Sequence, residues 1–328
     1  MAYRPGAIPL RPLTLSDIYD GAFRIIRRNL GATVGAAVLV SAITGLVPML
    51  VSIFVAATYG GLPSLQDAFS DPENAGEVTD RQLTGQLITV AGQVVGLLLQ
   101  AVGLLAVTGM VIHVVFAATL GHTMTLGQAW RATAGRRWRL FAQAGILAQI
   151  SLVAIGVPVA ILAGLGYGIS LTGSEAAVII YAVFATLSGI ALMVFVWIRL
   201  YLLAVPPLML EEPRIFRAIG RGFQLTAGMF WRTFGIALLT FILTAIASNL
   251  LQMPFAIGAL AFTFGVGGAA GGIGTAAITA ISTVLTTALV APFTAAVTCL
   301  QYLDLRIRKE ALDVELIARS QADRAPHA

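Results

Sequence analysis

The sequence predicts an all-α integral membrane protein: six transmembrane helices in three repeats, each an amphipathic elbow helix followed by two spans. Three observations lead there. Hydrophobic residues make up 58% of the 328-residue chain and charged residues 11%, with a mean hydropathy of +0.90, so there is too little polar side chain to coat a soluble globule. Charges fall in short blocks between long uncharged runs, the longest covering 71 residues between Arg232 and Asp304. An arginine-rich amphipathic stretch also recurs ahead of three apolar runs, as TLSDIYDGAFRIIRRN (14–29), TLGQAWRATAGRRWRLF (125–141) and EPRIFRAIGRGFQLTAGMFWR (212–232).

Residues 1–13 read as an N-terminal tail, and repeat 1 occupies 14–121. Its elbow opens with Thr14 and Asp17, the spacing of a reciprocal N-terminal cap. Leu15, Ile18, Tyr19, Ala22, Ile25 and Ile26 share one face, expected to dip into the acyl boundary, while Asp17, Asp20, Arg24, Arg27 and Arg28 take the other. Acids come early and bases late, as the helix dipole favours. The apolar run that follows continues from Asn29 to about Tyr59, far beyond the ~7–15 residues of a cleavable signal core, so it is a retained span. An acidic loop over 61–85 leads to the second span.

Repeat 2 covers 122–210, with Thr125 and Gln128 at the capping spacing, and repeat 3 covers 211–303, with Glu212–Pro213 placing proline at a first helical position. In each elbow an aromatic residue stands nine positions before the last arginine: Tyr19 and Arg28, Trp130 and Arg139, Phe223 and Arg232. Spans are expected at about 30–58, 86–120, 141–166, 176–209, 233–253 and 275–303, with GVGGAAGGIG (265–274) as a flexible external or re-entrant link. Residues 304–328 form a C-terminal helix and tail, with Leu305, Leu312 and Leu316 near one face and a Glu315–Arg319 pair.

Charge supplies an independent check on the span count. With six spans, 19 of the 20 basic residues lie on one side and only Arg81 opposite, which by the positive-inside rule places both termini in the cytoplasm of a bacterial plasma membrane. The second helix of each pair is over-long: residues 86–120 would extend about 52 Å against a hydrocarbon core of about 30 Å. Their apolar ends need protein around them, and the elbows are expected to form that collar.

The blocks PLTLSDIYDGAFRIIRRN, LAVPPLMLEEPRIFRAIGRGFQLTAGMFWRTFG and YLDLRIRKEALDVEL resemble those of bacterial multi-pass proteins, actinobacterial ones among them, that are similar to the membrane domain of glycerophosphodiester phosphodiesterases. The resemblance implies the membrane domain alone, because nothing here resembles the separate catalytic barrel.

Candidate chemistry is sparse. The net charge of +5 sits in headgroup-spaced blocks without the interleaved stacking aromatics of a nucleic-acid groove, so no nucleic acid is expected as partner. Three histidines and one cysteine show no metal-ligand spacing; no metal, cofactor or catalytic residue is expected, and Cys299 reads as a buried apolar residue. GVGGAAGGIG lacks the strand and acidic partner of a dinucleotide loop. Gly31/Gly35, Gly92/Gly96 and Gly164/Gly168 have the spacing that lets helices approach, and read as internal packing. Arg199 and His113 are the candidate polar groups within spans, Arg199 close enough to an end to snorkel.

Arg27, Arg28, Arg136, Arg137, Arg139, Arg221 and Arg232 are candidate contacts for anionic lipid headgroups. The spans lack the midplane charge usual in ion-coupled transporters. That favours a non-enzymatic scaffold or accessory subunit of a membrane or envelope complex, partnered by lipids and by another membrane protein. The alternative is a transporter or lipid-handling protein contacting anionic lipid at its cytoplasmic face. Single-cysteine labelling in a Cys299→Ala background checks the topology. Ser70→Cys should react from outside, and Arg137→Cys and Ala318→Cys only from the cytoplasm; external reaction at position 318 would require an odd number of spans.

Overall fold

The computed structural model describes residues 8–9, 11–59, 80–211, 214–266 and 268–315, and these are helical with no strand among them. In chain order the helices are α1 (Leu15–Arg28), α2 (Leu30–Tyr59), α3 (Asp80–Thr119), α4 (Leu126–Ala132), α5 (Arg137–Ser170), α6 (Glu175–Val196), α7 (Val205–Leu210), α8 (Ile215–Thr226), α9 (Phe230–Gly265) and α10 (Gly268–Glu310). Six stretches are long and apolar enough to cross a membrane: 30–58, 84–119, 137–170, 175–210, 230–265 and 268–310.

Local chemistry sets the short helices as expected in two cases and differently in the third. Thr14 caps α1 and Thr125 caps α4, each accepting from the backbone three residues on while Asp17 or Gln128 returns the bond. Glu212 and Pro213 lie outside the described residues; α8 begins at Ile215 after Arg214, which provides no side-chain cap. Lys309 instead ties down the other end of α8, donating to the carbonyls of Gln224 (3.0 Å) and Ala227 (2.6 Å).

The apolar face of α1 meets protein where the sequence suggested acyl chains. Ile18, Ala22 and Ile25 are fully buried, Tyr19 and Ile26 partly so, and Leu15 is exposed. This helix lies across α10 and α9: Gly21 leaves room for Ile8 and Leu300, and the Tyr19 hydroxyl reaches Thr240 Oγ1 at 2.9 Å and the Ile236 carbonyl at 3.2 Å. Burial pushes the Tyr19 phenol above its ordinary pKa, against the opposing effect of the Thr240 hydrogen bond. Helix α4 packs on α2 and α3, and α8 packs on α7, α5 and the turn after α6. Each short helix therefore rests on the long pair that precedes it, and α1, with none before it, rests on the last pair.

One buried core gathers at the elbow end. It takes the first turns of α2 (Ala32, Ala36, Ala37), the last of α3 (Val107–Ala118) and the last of α10 (Ala291–Ile307), closed by the inner faces of α1, α4 and α8. The extra length of the long helices is taken up here. Helix α10, at 43 residues, would run about 65 Å, twice the hydrocarbon thickness.

Several boundaries move. The fourth long segment does not continue as one helix to 209: α6 ends at Val196, a π-turn spans Trp197–Tyr201, and α7 restarts at Val205. Pro206 and Pro207 supply no N–H to the preceding turn, which breaks the ladder there. The glycine-rich stretch is not a flexible link. Helix α9 runs to Gly265 and the glycines from Gly268 on form the first turns of α10, where a Cβ on Gly271 or Gly274 would collide with Phe262 and one on Gly272 with Ala56. The expected boundary at 303/304 falls inside continuous helix, in its most buried part. Helix α10 ends at Glu310 and Ala311 takes a positive φ of 53°. Leu316 and Arg319 lie outside the described residues, as does most of the 61–85 loop.

Helices α2, α3, α9 and α10 pack together, whereas the α5–α6 hairpin stands off from them. Among the described residues, none between Leu147 and Val196 is buried. The glycine pairs divide accordingly: Gly92 and Gly96 abut Val51 and Pro48, while Gly164 and Gly168 face open space and Gly31 has no neighbour within 4 Å. Gly92→Leu should therefore destabilise by about 1–3 kcal/mol through overpacking, and Gly164→Leu should stay within about 0.5 kcal/mol of wild type. Thermal unfolding in mild detergent reads both, and equal melting of the two variants would contradict the packing described.

Candidate functional site: a polar clasp at the elbow end

The last three turns of α10 interleave polar and apolar residues, and the polar ones reach the N-terminal segment, α8, α9 and the end of α7. Asp304 is the centre. Its side chain is 1% exposed, an unfavourable place for a carboxylate unless it is fully partnered. Oδ1 accepts from the Leu13 backbone N–H at 2.7 Å and from Arg308 Nε at 2.9 Å. Oδ2 accepts from Arg232 Nη2 at 2.9 Å and Nε at 3.1 Å. The same two guanidinium groups donate onward to the Leu13 carbonyl, Arg232 at 2.7 Å and Arg308 at 3.0 Å. One carboxylate and two arginines thus satisfy both backbone groups of Leu13 and fasten the N-terminal segment to α9 and α10. Residues read as a tail are structural: Ile8 and Leu13 are buried in the core.

A second network lies beside it. Glu211 accepts from Arg221 Nε (2.9 Å) and the Tyr302 hydroxyl and forms an ion pair with Arg306 (3.0 Å), and Glu310 accepts from Arg306 Nε (3.0 Å) and pairs with Arg221 (2.7 Å). It joins α7, α8 and α10. A third set of bonds closes the broken segment after α6. Gln143 donates to the Ala204 carbonyl at 2.7 Å and Arg136 donates to the Met209 carbonyl, so side chains of the α5 end bind carbonyls on either side of the prolines. Gly222 of α8 lies so close that a Cβ there would be 2.7 Å from the Leu203 carbonyl oxygen.

The predicted lipid-contact arginines separate into two groups. Arg221 and Arg232 are engaged with internal carboxylates and Arg136 with a carbonyl, which withdraws them from a lipid belt. Arg137 stacks 3.7 Å above the Trp130 ring and donates from Nε to Thr133 Oγ1 at 3.1 Å and from Nη2 to the Trp130 carbonyl. Arg27, Arg28 and Arg139 are exposed and make no hydrogen bond or ion pair among the described residues. Exposed rings accompany them, Trp138 at 83% and Trp231 at 78% exposure.

Arg199 does not merely snorkel. It leaves the π-turn toward α8, donating to Thr226 Oγ1 (3.3 Å) and the Phe223 carbonyl (3.4 Å), with the rings of Phe223, Phe195 and Phe230 at 4.8, 5.7 and 5.8 Å. His113 stands half-buried in α3, its Nε2 without a hydrogen-bond partner among the described residues. Cys299 is fully buried. No group of three His, Cys, Asp or Glu that could hold a metal occurs among the described residues.

Reading the sequence did not single out Asp304, Glu211 or Glu310. A signal was present: Asp304 stands within CLQYLDL, an acid flanked by apolar residues and followed by Arg306 and Arg308. Among the described residues the fold is all-helical, with six helices long and apolar enough to cross a membrane and with the ion pairs gathered at one end. No protein-family model, curated protein or solved structure matches the chain.

Asp304→Ala should lower stability by about 3 kcal/mol, toward the low end for a broken buried pair because both guanidinium groups can rehydrate. Chymotrypsin should also cut sooner after Leu13, which is buried in the intact clasp, as the N-terminal segment loosens. Glu310→Gln, in a more exposed pair, should shift stability by less than about 1 kcal/mol. Identical melting and proteolysis of the two variants would remove the clasp from its central place.

Proposed function

We propose that this chain is a non-enzymatic, multi-pass protein of the bacterial plasma membrane, with both termini cytoplasmic, acting as a scaffold or accessory subunit of a membrane or envelope complex. In this reading it is a relative of the membrane domain of glycerophosphodiester phosphodiesterases. The observation that carries it is the contrast between a tightly clasped elbow end and a free-standing α5–α6 hairpin. Asp304, Arg232, Glu211 and Arg221 at the elbow end bind one another or the N-terminal segment. The hairpin offers two apolar helices with no buried side chain between Leu147 and Val196 among the described residues and open glycines at 164 and 168, the composition that supports helix–helix contact in lipid. Exposed rings beside unpaired arginines at the elbow end support the orientation.

Photo-crosslinking in native membranes tests this. A photoreactive residue at Leu152 or Phe184, both exposed on the hairpin, should give a discrete adduct with a second membrane protein, and one at Leu97 on α3 should give none. Labelling of lipid alone at all three positions would overturn the scaffold reading.

A further inference from the structure

The three elbows differ in how their positive charge is balanced. Arg221 and Arg232 face Glu211, Glu310 and Asp304, and the first elbow carries Asp17 and Asp20. The second elbow holds Arg131, Arg136, Arg137 and Arg139, and no Asp or Glu occurs anywhere between Arg81 and Glu175. None of these four arginines is in an ion pair among the described residues. Such a cluster at a membrane interface attracts an anion from outside the chain.

The same elbow contains a cavity of about 70 Å³, enough for a few methylene- or water-sized groups. Thr133, Leu140 and Met209 are buried and form its floor, while Trp130, Arg137 and Phe141 stand at its mouth. The floor is apolar, so the cavity suits hydrocarbon. Arg137 is held at the rim by its stack on Trp130 and by bonds from Nε and Nη2, which leaves Nη1 without a partner among the described residues. The cavity lies at the foot of the opening between α3 and the stand-off hairpin, whose facing side chains remain uncovered.

We propose that this is a binding site for an anionic phospholipid. Its phosphate sits on Arg137 with Arg131 and Arg139 beside it, the start of one acyl chain enters the cavity, and the rest follows the opening between α3 and α5. A guanidinium fixed beside an apolar hole matches the junction of headgroup and hydrocarbon, which a soluble phosphate lacks. The inference rests on the elbow end lying at headgroup depth, as proposed above, and on nothing in the scaffold assignment.

Native mass spectrometry of the full chain, exchanged into mixed phosphatidylglycerol and phosphatidylcholine, tests the site. Wild type should retain phosphatidylglycerol in preference to phosphatidylcholine. Arg137→Gln should lower that retention about fivefold, the factor expected for one basic residue at an anionic surface. Ala106→Phe, which fills the cavity without changing charge, should lower it by a similar factor, and Trp130→Leu gives the same reading should that variant melt early. Arg27→Gln with Arg28→Gln should leave retention within twofold of wild type. Unchanged retention in Ala106→Phe melting like wild type would overturn the proposal. An equal loss from the Arg27/Arg28 variant would show a diffuse belt, and displacement by millimolar inorganic phosphate would show a phosphate site; either also overturns it. A chain that carbonate washes from the membrane would instead refute the membrane orientation.

Discussion

A carboxylate almost without solvent, Asp304, stands where the first and last parts of the chain meet, and the elbow end is organised around keeping it partnered. Burial makes the charge unfavourable by itself, so its two oxygens must accept bonds from several directions at once. Those bonds come from the N-terminal segment, from the start of α9 and from the next turn of α10. An ionic group inside apolar surroundings is a demanding constraint on geometry, because each donor has only a narrow range of useful positions.

That constraint explains a pattern of contacts that is otherwise puzzling. Each short helix packs on the long pair before it, which leaves the last pair to be covered by α1. Closing the order between the chain's beginning and end needs a specific junction, and the Leu13–Asp304 bond with its two arginines supplies one. Apolar packing alone would hold α1 on α10, through Ile18, Ala22 and Leu300, but would fix its position less sharply. The Glu211 network repeats the device between α7, α8 and α10.

Away from this end the physics changes. The long helices present Leu, Ile, Val and Phe outward, as helices do when the surrounding medium is itself apolar. The α5–α6 hairpin touches itself, chiefly through Tyr181 against Gly166, and meets the rest of the protein only near its base. At that base the second elbow combines positive charge that no carboxylate balances among the described residues with an apolar cavity.

Sequence alone determined much of this. Six apolar runs, the recurring arginine-bearing helices and the capping pairs Thr14/Asp17 and Thr125/Gln128 follow from periodicity and local hydrogen bonding, which operate within a few residues. The length of the runs also demanded protein around their ends. What only the tertiary structure decided is which charges face one another. Arg137 and Arg232 look alike in sequence, each in an elbow ahead of an apolar run, yet one stacks on Trp130 and the other binds a carboxylate 72 positions away. Likewise Gly92 and Gly164 stand in the same spacing, and only the neighbours differ. The reason is physical: helix formation is set by local backbone chemistry, whereas pairing of buried charges and close approach of helices depend on residues brought together from distant parts of the chain.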